Sequence, residues 1–526
     1  MRTILLQITL LLIFTITYGQ NQNISDGVVF DGEPYLSINP DNPQHMVVAW
    51  MGYVTNKRIS IITKVTFDSG LTWSDAVSLP HTISDYTSAD PCIAFDGNGN
   101  VFVSYIDFTG YNIFPLDGAV YVCKSTDGGL SWGDPVEVIA IDSDPGKKAI
   151  DRPWMVIDRS GGNNDGNIYI TTMNAKLATV GYHPYITIST DGGSSFNNWN
   201  YLDTPDWLSG IFITQPMPTP SMSSGGDFFA VYPSYVFTQN PLAQYIITAS
   251  ADGGNSFNYS SVFTSSGGSS DEMAKMGYLL RSDPSDNNHL AFLYLEKTYG
   301  DLDVFYRESF DKGGTWTDGF RVNDDEVGNN RMQDLVWADY DYDGDLVVSW
   351  RDRRNSPDST YTTSSEIWAA VLKKDSTNFS SNFPLSDNIV VYDSVLSLAG
   401  NDFMCVKFAN DTINAVWGDT RTEKLNIWFQ KTTIDGKLLS VSNIYSDNIP
   451  IINIFPVPFN SSFTVEGKGI MRINIYNING LLVKRFTNIN SDIFEIDFNG
   501  FPDGDFLLQV YTKDGSTTRK IVKANN

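Results

Sequence analysis

Hydrophobic and polar positions alternate along most of this chain in short runs, and the runs come in a fixed order. Residues 32–50, GEPYLSINPDNPQHMVVAW, read as strand, Asp/Asn/Pro turn, strand. The same reading fits ADPCIAFDGNGNVFVSY (89–105), DRPWMVIDRSGGNNDGNIYITT (151–172) and MQDLVWADYDYDGDLVVSW (332–350). Alternation with period two is the signature of a strand, and Gly, Asn or Asp between two such runs closes a hairpin. A variable loop, a third strand such as GAVYVCKS (118–125), a short turn and a fourth strand then follow. Long amphipathic helical patterns are hard to find.

The turn between the third and fourth strands recurs. It reads TFDSGLTW at Asp68, STDGGLSW at Asp127, STDGGSSF at Asp191, SADGGNSF at Asp252 and SFDKGGTW at Asp311. Two worn copies are KKDSTNF at Asp375 and TIDGKLL at Asp435. Consecutive aspartates lie 59, 64, 61, 59, 64 and 60 residues apart, so the chain is an array with a period near 60. In each copy the Asp accepts backbone N–H groups inside a tight loop, and the Gly supplies a positive φ. The Ser or Thr hydroxyl closes the loop, and the Trp or Phe packs beneath it. The turn is therefore a folding device, and its aspartates are poor catalytic candidates.

Four strands per repeat around an axis make a propeller blade. Copies at roughly 31–80, 88–140, 150–203, 212–264, 272–324, 331–388 and 399–446 predict an all-β, seven-bladed propeller, with six blades as the alternative. These turns resemble the Asp boxes of the sialidase-like, BNR-repeat propellers, and the resemblance covers most of residues 31–446. That fold hosts sialidases, other glycosidases, lyases and non-catalytic receptors, so it does not by itself specify an activity. A true sialidase carries an arginine in a Phe/Tyr-Arg-Ile-Pro motif opening its first blade; here Gly32-Glu33-Pro34-Tyr35 puts Glu at that position. The look-alike Phe320-Arg321-Val322-Asn323 follows the fifth turn and belongs on an outer strand.

The stretch 450–526 differs and reads as a small antiparallel sandwich. It resembles the C-terminal sorting domain of the type IX secretion system of Bacteroidetes-type bacteria. The matching pieces are Pro456-Val457-Pro458-Phe459-Asn460, the turn at Ile475–Gly480, the strand Gly504–Val510 and the basic end Lys520–Lys523. Val457 departs from the Pro-Asn-Pro usual there. The resemblance implies export across the outer membrane, with the secretion machinery as a partner and a secreted or surface-attached product. The first residues, an apolar run after Arg2, read as a signal peptide over 1–19.

With 35 Lys plus Arg against 61 Asp plus Glu, the formal charge is −26. Nucleic acid and anionic membrane both need a basic footprint, and neither is expected as a partner. No segment after the signal is long and apolar enough to span a bilayer, and a monomer is expected. Cys92, Cys123 and Cys405 are too few and odd in number for a disulfide framework, and read as buried free thiols.

By the family's geometry, ligands gather where inner strands begin and where second strands hand over to third ones. Glu33, Asp90, Asp151 with Arg152, Gln215, Asp334 and Asp402 stand at the first kind of position. Trp50, Tyr105 with Asp107, Glu296, the run Trp350-Arg351-Asp352-Arg353-Arg354 and Trp417-Gly418-Asp419-Thr420-Arg421 stand at the second. Carboxylates there can serve as acid and base for glycoside cleavage, and Arg can fork onto a ligand carboxylate or sulfate. Asp90, Asp151, Asp352 and Asp419 are the catalytic candidates. Glu33, Arg152, Arg353, Arg354, Arg421 and Tyr105 are the substrate-binding ones. W-x-D-x-R occurs in two repeats, which fits an inter-blade ion pair as well as a ligand contact. A lyase reading would use His183 with Tyr182. No cofactor or resident metal is expected, although the run Asp339–Asp345 leaves calcium open; its twelfth position holds Trp350 where an EF-hand needs an acid. The reading is an exported propeller that binds or cleaves an extracellular glycan, expected to be acidic. A hydrolase or lyase and a non-catalytic surface binder both stay open.

Overall fold

The computed structural model describes residues 21–524 except 26, 28–29, 55–57, 112–113, 176–177, 214, 237–242, 265–276, 392–400, 440–451, 478–481, 487–488, 490 and 513–514. The signal-peptide reading lies outside the described residues. The described residues hold strands and turns and no helix.

Seven four-stranded antiparallel sheets follow one another. The first runs Asp31–Asn39, Asn42–Val54, Arg58–Thr66, Val77–Ser78, and the next five keep the same meander order. Their innermost strands neighbour one another around a closed ring, from Asp31–Asn39 through Thr87–Phe95, Asp151–Ile157, Thr219–Met222, Tyr278–Ser282, Gln333–Tyr340 and Cys405–Ala409 back to the first. This is a β-propeller.

The seventh sheet differs from the sequence reading. Cys405–Ala409, Thr412–Asp419 and Asn426–Thr433 supply three strands, and the outermost is Gln22–Asn23 from the other end of the chain. Gln22 faces Phe429 and Asn23 faces Trp428. A strand with open N–H and C=O groups on the last sheet needs a partner, and the segment before the first sheet supplies it. Asn21 locks the seam, donating its side-chain amide to Leu385 O at 3.0 Å and Gln430 Oε1 at 2.6 Å. The part of repeat seven that the sequence assigned to a fourth strand falls mainly within 440–451, outside the described residues.

The five good turns close identically. Asp191 accepts from the hydroxyls of Ser189 (2.8 Å) and Ser195 (2.6 Å) and from Ser195 N–H (2.9 Å). Asp68, Asp127, Asp252 and Asp311 repeat this with their own Ser or Thr partners. Gly129 shows why glycine is required: its φ is +97°, and a Cβ there would meet Val47 of the preceding sheet at 2.9 Å. Each turn thus staples its own sheet and seats against the one before it. The sequence reading missed the hydroxyl two residues before each Asp, which also accepts the glycine N–H.

On the axis, Tyr35, Trp154, Trp337 and Phe403 close the channel with ring centroids 5.1–6.3 Å apart. They divide it into a mouth, where inner strands begin, and an underside, where inner strands end and the aspartate turns lie. Cys92, Cys123 and Cys405 are buried free thiols, and burial pushes each up to about 11.

The C-terminal strands form a separate sheet around the long strand Ser462–Asn477. Its first half pairs with Asn453–Phe455 and Ser491–Asp497, its second with Leu482–Phe486 and Gly504–Thr512. It has its own core, including Phe463, Ile473, Ile496, Phe498 and Val510. Arg472 donates to Asp41 O at 3.0 Å, and Arg485 pairs with the Asp41 carboxylate at 3.2 Å, so this sheet touches the first hairpin turn of the propeller.

Candidate functional site

Four inner strands begin with the same irregularity, one of them breaking register between Asp334 and Trp337 with Leu335 at a φ of +50°. Gly32 faces Met51 while Tyr35 faces Ala49, which leaves Glu33 and Pro34 opposite one residue; the register breaks likewise between Ala89 and Cys92 and between Asp151 and Trp154. Within the bulges Glu33, Asp90 and Arg152 take φ of +54°, +53° and +50°. A side chain other than Gly held there costs about 1–3 kcal/mol and persists only where its surroundings fix it. A bulge re-aims a side chain, and here it brings three charged ones to the mouth.

Arg152 is the centre of the group. It is 1% exposed, and its Nη2 donates to Asp402 Oδ2 at 2.7 Å. Its guanidinium stands 6.0 Å from the Phe403 ring centroid, and its backbone N–H points to Asp90 Oδ2 at 3.4 Å. Asp151 accepts from Gln215 Nε2 at 2.7 Å, and Glu33 N–H meets Asn401 Oδ1 at 3.5 Å. Four acids, Glu33, Asp90, Asp151 and Asp402, therefore surround one guanidinium.

Glu33 is 2% exposed. Burial pushes its carboxyl well above the usual range, and the neighbouring charges of Asp90 and Asp402 push it further, while Arg152 opposes them. The carboxyl groups of Glu33 and Asp90 neighbour each other, and two such groups this close favour a proton on one of them. The mouth accordingly sets a carboxyl pushed towards its protonated form beside Asp90, with Asp402, its side chain 32% exposed, ion-paired to Arg152.

Glu33, Asp90, Asp151 and Arg152, singled out from the sequence, are thus brought together, along with Gln215 and Asp402. The others have internal partners. Asp352 accepts from the Trp350 indole at 2.7 Å, from Arg354 N–H at 2.7 Å and from Arg354 Nε at 3.0 Å. Asp419 does the same with Trp417 at 2.8 Å and with Arg421. Arg354 continues to Asp324 and lies over Trp368, and Arg421 continues to Asp387 and lies over Trp428. W-x-D-x-R is therefore a clamp that ties second strand, third strand and adjoining loop. Arg353 and Arg351 both grip Asp334; burial alone would raise that carboxyl, but the two guanidiniums hold it well below the usual range. Tyr105 is fully buried, its hydroxyl 3.6 Å from Cys123 Sγ. In each case the physical reason is that a partner from a neighbouring strand or loop satisfies the group before a ligand can.

His183 pairs with Asp203 at 2.9 Å and stacks on Tyr201. One arrangement went unread in the sequence: His81 Nε2 meets Ser60 Oγ at 2.9 Å while Nδ1 meets Asp107 Oδ1 at 2.8 Å. Ser60 is 2% exposed in mid-strand, and Asp107 also accepts from Thr82 and Ser88, so this trio pins the rim between the first two sheets. The run Asp339–Asp345 forms a hairpin turn, and Asp343, Asp345 and Asp411 bring carboxylate oxygens within 4.8 Å of one another.

Residues 453–524 match the family described as "Secretion system C-terminal sorting domain". The C-terminal sheet is a sorting domain. The type IX machinery that reads this domain exports its cargo to the cell surface or beyond it. No curated protein matches the chain. Among solved structures, the propeller resembles a protein of unknown function from Dyadobacter fermentans (16% identity, 67% of this chain and 98% of that one, TM-score 0.39). It also resembles the Penicillium chrysogenum alpha-L-arabinanase complexed with arabinobiose (12%, 80% and 100%, 0.45). The match to the phage phi92 endosialidase spans more of the chain (12%, 97% and 79%, 0.44). No helix among the described residues is long and apolar enough to cross a membrane.

Proposed function

We propose that the exported propeller takes an extracellular glycan at its mouth and cleaves it, with the protonated Glu33–Asp90 pair as the acid and Asp402 as the base. The observation that carries this is four acidic side chains crowded around one guanidinium, with Glu33 pushed well above the usual carboxyl range. Acid and base must differ in protonation at one pH, and neighbours that push two carboxyl groups apart achieve that. Asp90 and Asp402 touch the ligand, whereas Glu33 lies behind them and holds the proton.

The ligand is a neutral glycan rather than an acidic one. The arginines expected to hold an anion are paired with Asp324, Asp334, Asp352, Asp387 and Asp419. Carboxylates at a rim accept hydroxyl groups of sugars and repel uronates and sulfates. Burial of Glu33 favours one second reading, in which the group is a binding site without turnover and the propeller is a surface adhesin acting as a monomer.

A screen of the full chain against neutral, uronate-bearing, sialylated and sulfated glycans, reading both binding and product, separates these readings. The proposal expects product from a neutral glycan, abolished by Asp402→Asn. Binding without product in every case supports the adhesin. Product from acidic glycans alone, unaffected by Asp402→Asn, refutes both site and ligand.

A further inference from the structure

One cavity of the propeller is not at the mouth. It lies beyond the aromatic plug, on the underside of the axis, with a volume of about 230 Å³. Trp154 and Trp337 belong to its wall, and so do Arg281, Arg159, Lys407 and Asp339. Three cations and one carboxylate therefore line a hole in a protein whose formal charge is −26. The mouth, at the other end of the same axis, has the opposite balance.

These cations differ from the paired arginines of the rim. Lys407 meets Asp339 at 3.0 Å. Arg281 donates Nε to Ala338 O at 2.7 Å and Nη1 to Leu280 O at 2.9 Å, and its guanidinium lies 5.4 Å from the Trp337 ring centroid. Among the described residues no carboxylate forms an ion pair with Arg281 or Arg159, and Asp339, the one acid of the lining, pairs with Lys407. The backbone bonds and the Trp337 face fix the plane of the Arg281 guanidinium and leave its remaining N–H groups unspent. The wall carries three cationic side chains against one carboxylate, and a bound anion supplies the charge that balances them.

We propose that this underside cavity binds a small organic anion, a carboxylate or sulfate ester no larger than a single sugar ring, with its charge on Arg281 and Arg159 and its ring against the tryptophans. Size sets the upper limit: the volume is below the roughly 300 Å³ at which drug-sized ligand sites begin. Charge excludes a neutral sugar as the preferred occupant, because desolvating these guanidiniums without an anion gains nothing. The site is independent of the glycan reading for the mouth, from which the aromatic plug separates it.

Isothermal calorimetry of the full chain with sodium glucuronate, inorganic sulfate and glucose tests the proposal. Glucuronate is expected to bind with millimolar affinity or tighter, and glucose at least tenfold more weakly. Arg159→Gln, at an exposed position that leaves packing intact, is expected to weaken glucuronate severalfold, and Arg281→Lys to weaken it further. Asp402→Asn at the mouth is expected to leave it unchanged. Sulfate binding as tightly as glucuronate would keep the anion site and remove the ring contact. No binding of either anion, equal binding of glucose, indifference to both arginine substitutions, or loss with Asp402→Asn would each overturn the proposal.

Discussion

Arg152 and Asp402 are 250 residues apart in the chain and 2.7 Å apart in the fold. The pair joins the third sheet to the seventh across the axis, and it is the contact around which the other mouth acids arrange themselves. Its guanidinium is buried, so it belongs to the class of ion pair whose rupture is expensive.

Arg152→Met therefore destabilises the propeller by about 3–5 kcal/mol, because it leaves Asp402, Asp90 and Asp151 without their counter-charge. Chemical unfolding of the full chain checks this. Glu33→Gln behaves differently: an amide replaces a carboxyl that already carries a proton, and stability changes by less than about 1.5 kcal/mol, one hydrogen bond's worth.

The ring closes through the segment at Gln22–Asn23. Removing residues before 26 exposes the third strand of the seventh sheet, and amide exchange across Asn426–Thr433 rises by orders of magnitude while exchange in the second and third sheets changes little. Uniform protection in the shortened chain would show that the ring does not depend on this strand.

That closure shows where sequence reading stops. The five aspartate turns were legible because each completes its hydrogen bonds within about eight residues, with Asp, Gly and hydroxyl at fixed offsets. The mouth was partly legible from where the inner strands begin, whereas the recurrence of Glu33-Pro34, Asp90-Pro91 and Arg152-Pro153 at one strand position went unread. The pairing of Gln22 with Phe429 has no local signal at all. Nor do the pairings of Arg353 with Asp334 and Arg354 with Asp324, which turn cations that looked available into struts. What separates a ligand contact from a strut is the partner, and the partner is distant in sequence.

Stability should vary with pH in two windows of opposite sign. Burial lowers His289, but hydrogen bonds to Asp283 and Glu308 outweigh it and raise it to about 9 from 6.5. A group raised on folding stabilises fully below its unfolded value, so this contribution is complete below pH 6.5 and is lost as pH rises through about 9. His289→Gln flattens the melting temperature over that range. Asp191 and Asp252 are lowered to about 2 from 3.8, first by the hydroxyls of Ser195 and Ser256. Their contribution is complete above pH 3.8 and disappears as pH falls through about 2.

Asp191→Ala costs about 1–2 kcal/mol through the lost turn hydrogen bonds and leaves any mouth activity unchanged once folded. Gly129→Ala costs more, because it adds the clash with Val47 to a strained φ. Melting temperatures and a glycan assay, run on the same samples, distinguish folding from function.

The claim on which the mouth's chemistry rests is that Glu33 keeps its proton in neutral solution. A carboxyl-carbon NMR titration of glutamate-labelled protein, with Glu33→Gln to assign the signal, measures this directly. One resonance should remain in the protonated range at pH 7 and vanish in the variant. A Glu33 resonance that titrates near 4.5, as an ordinary glutamate does, would contradict the account.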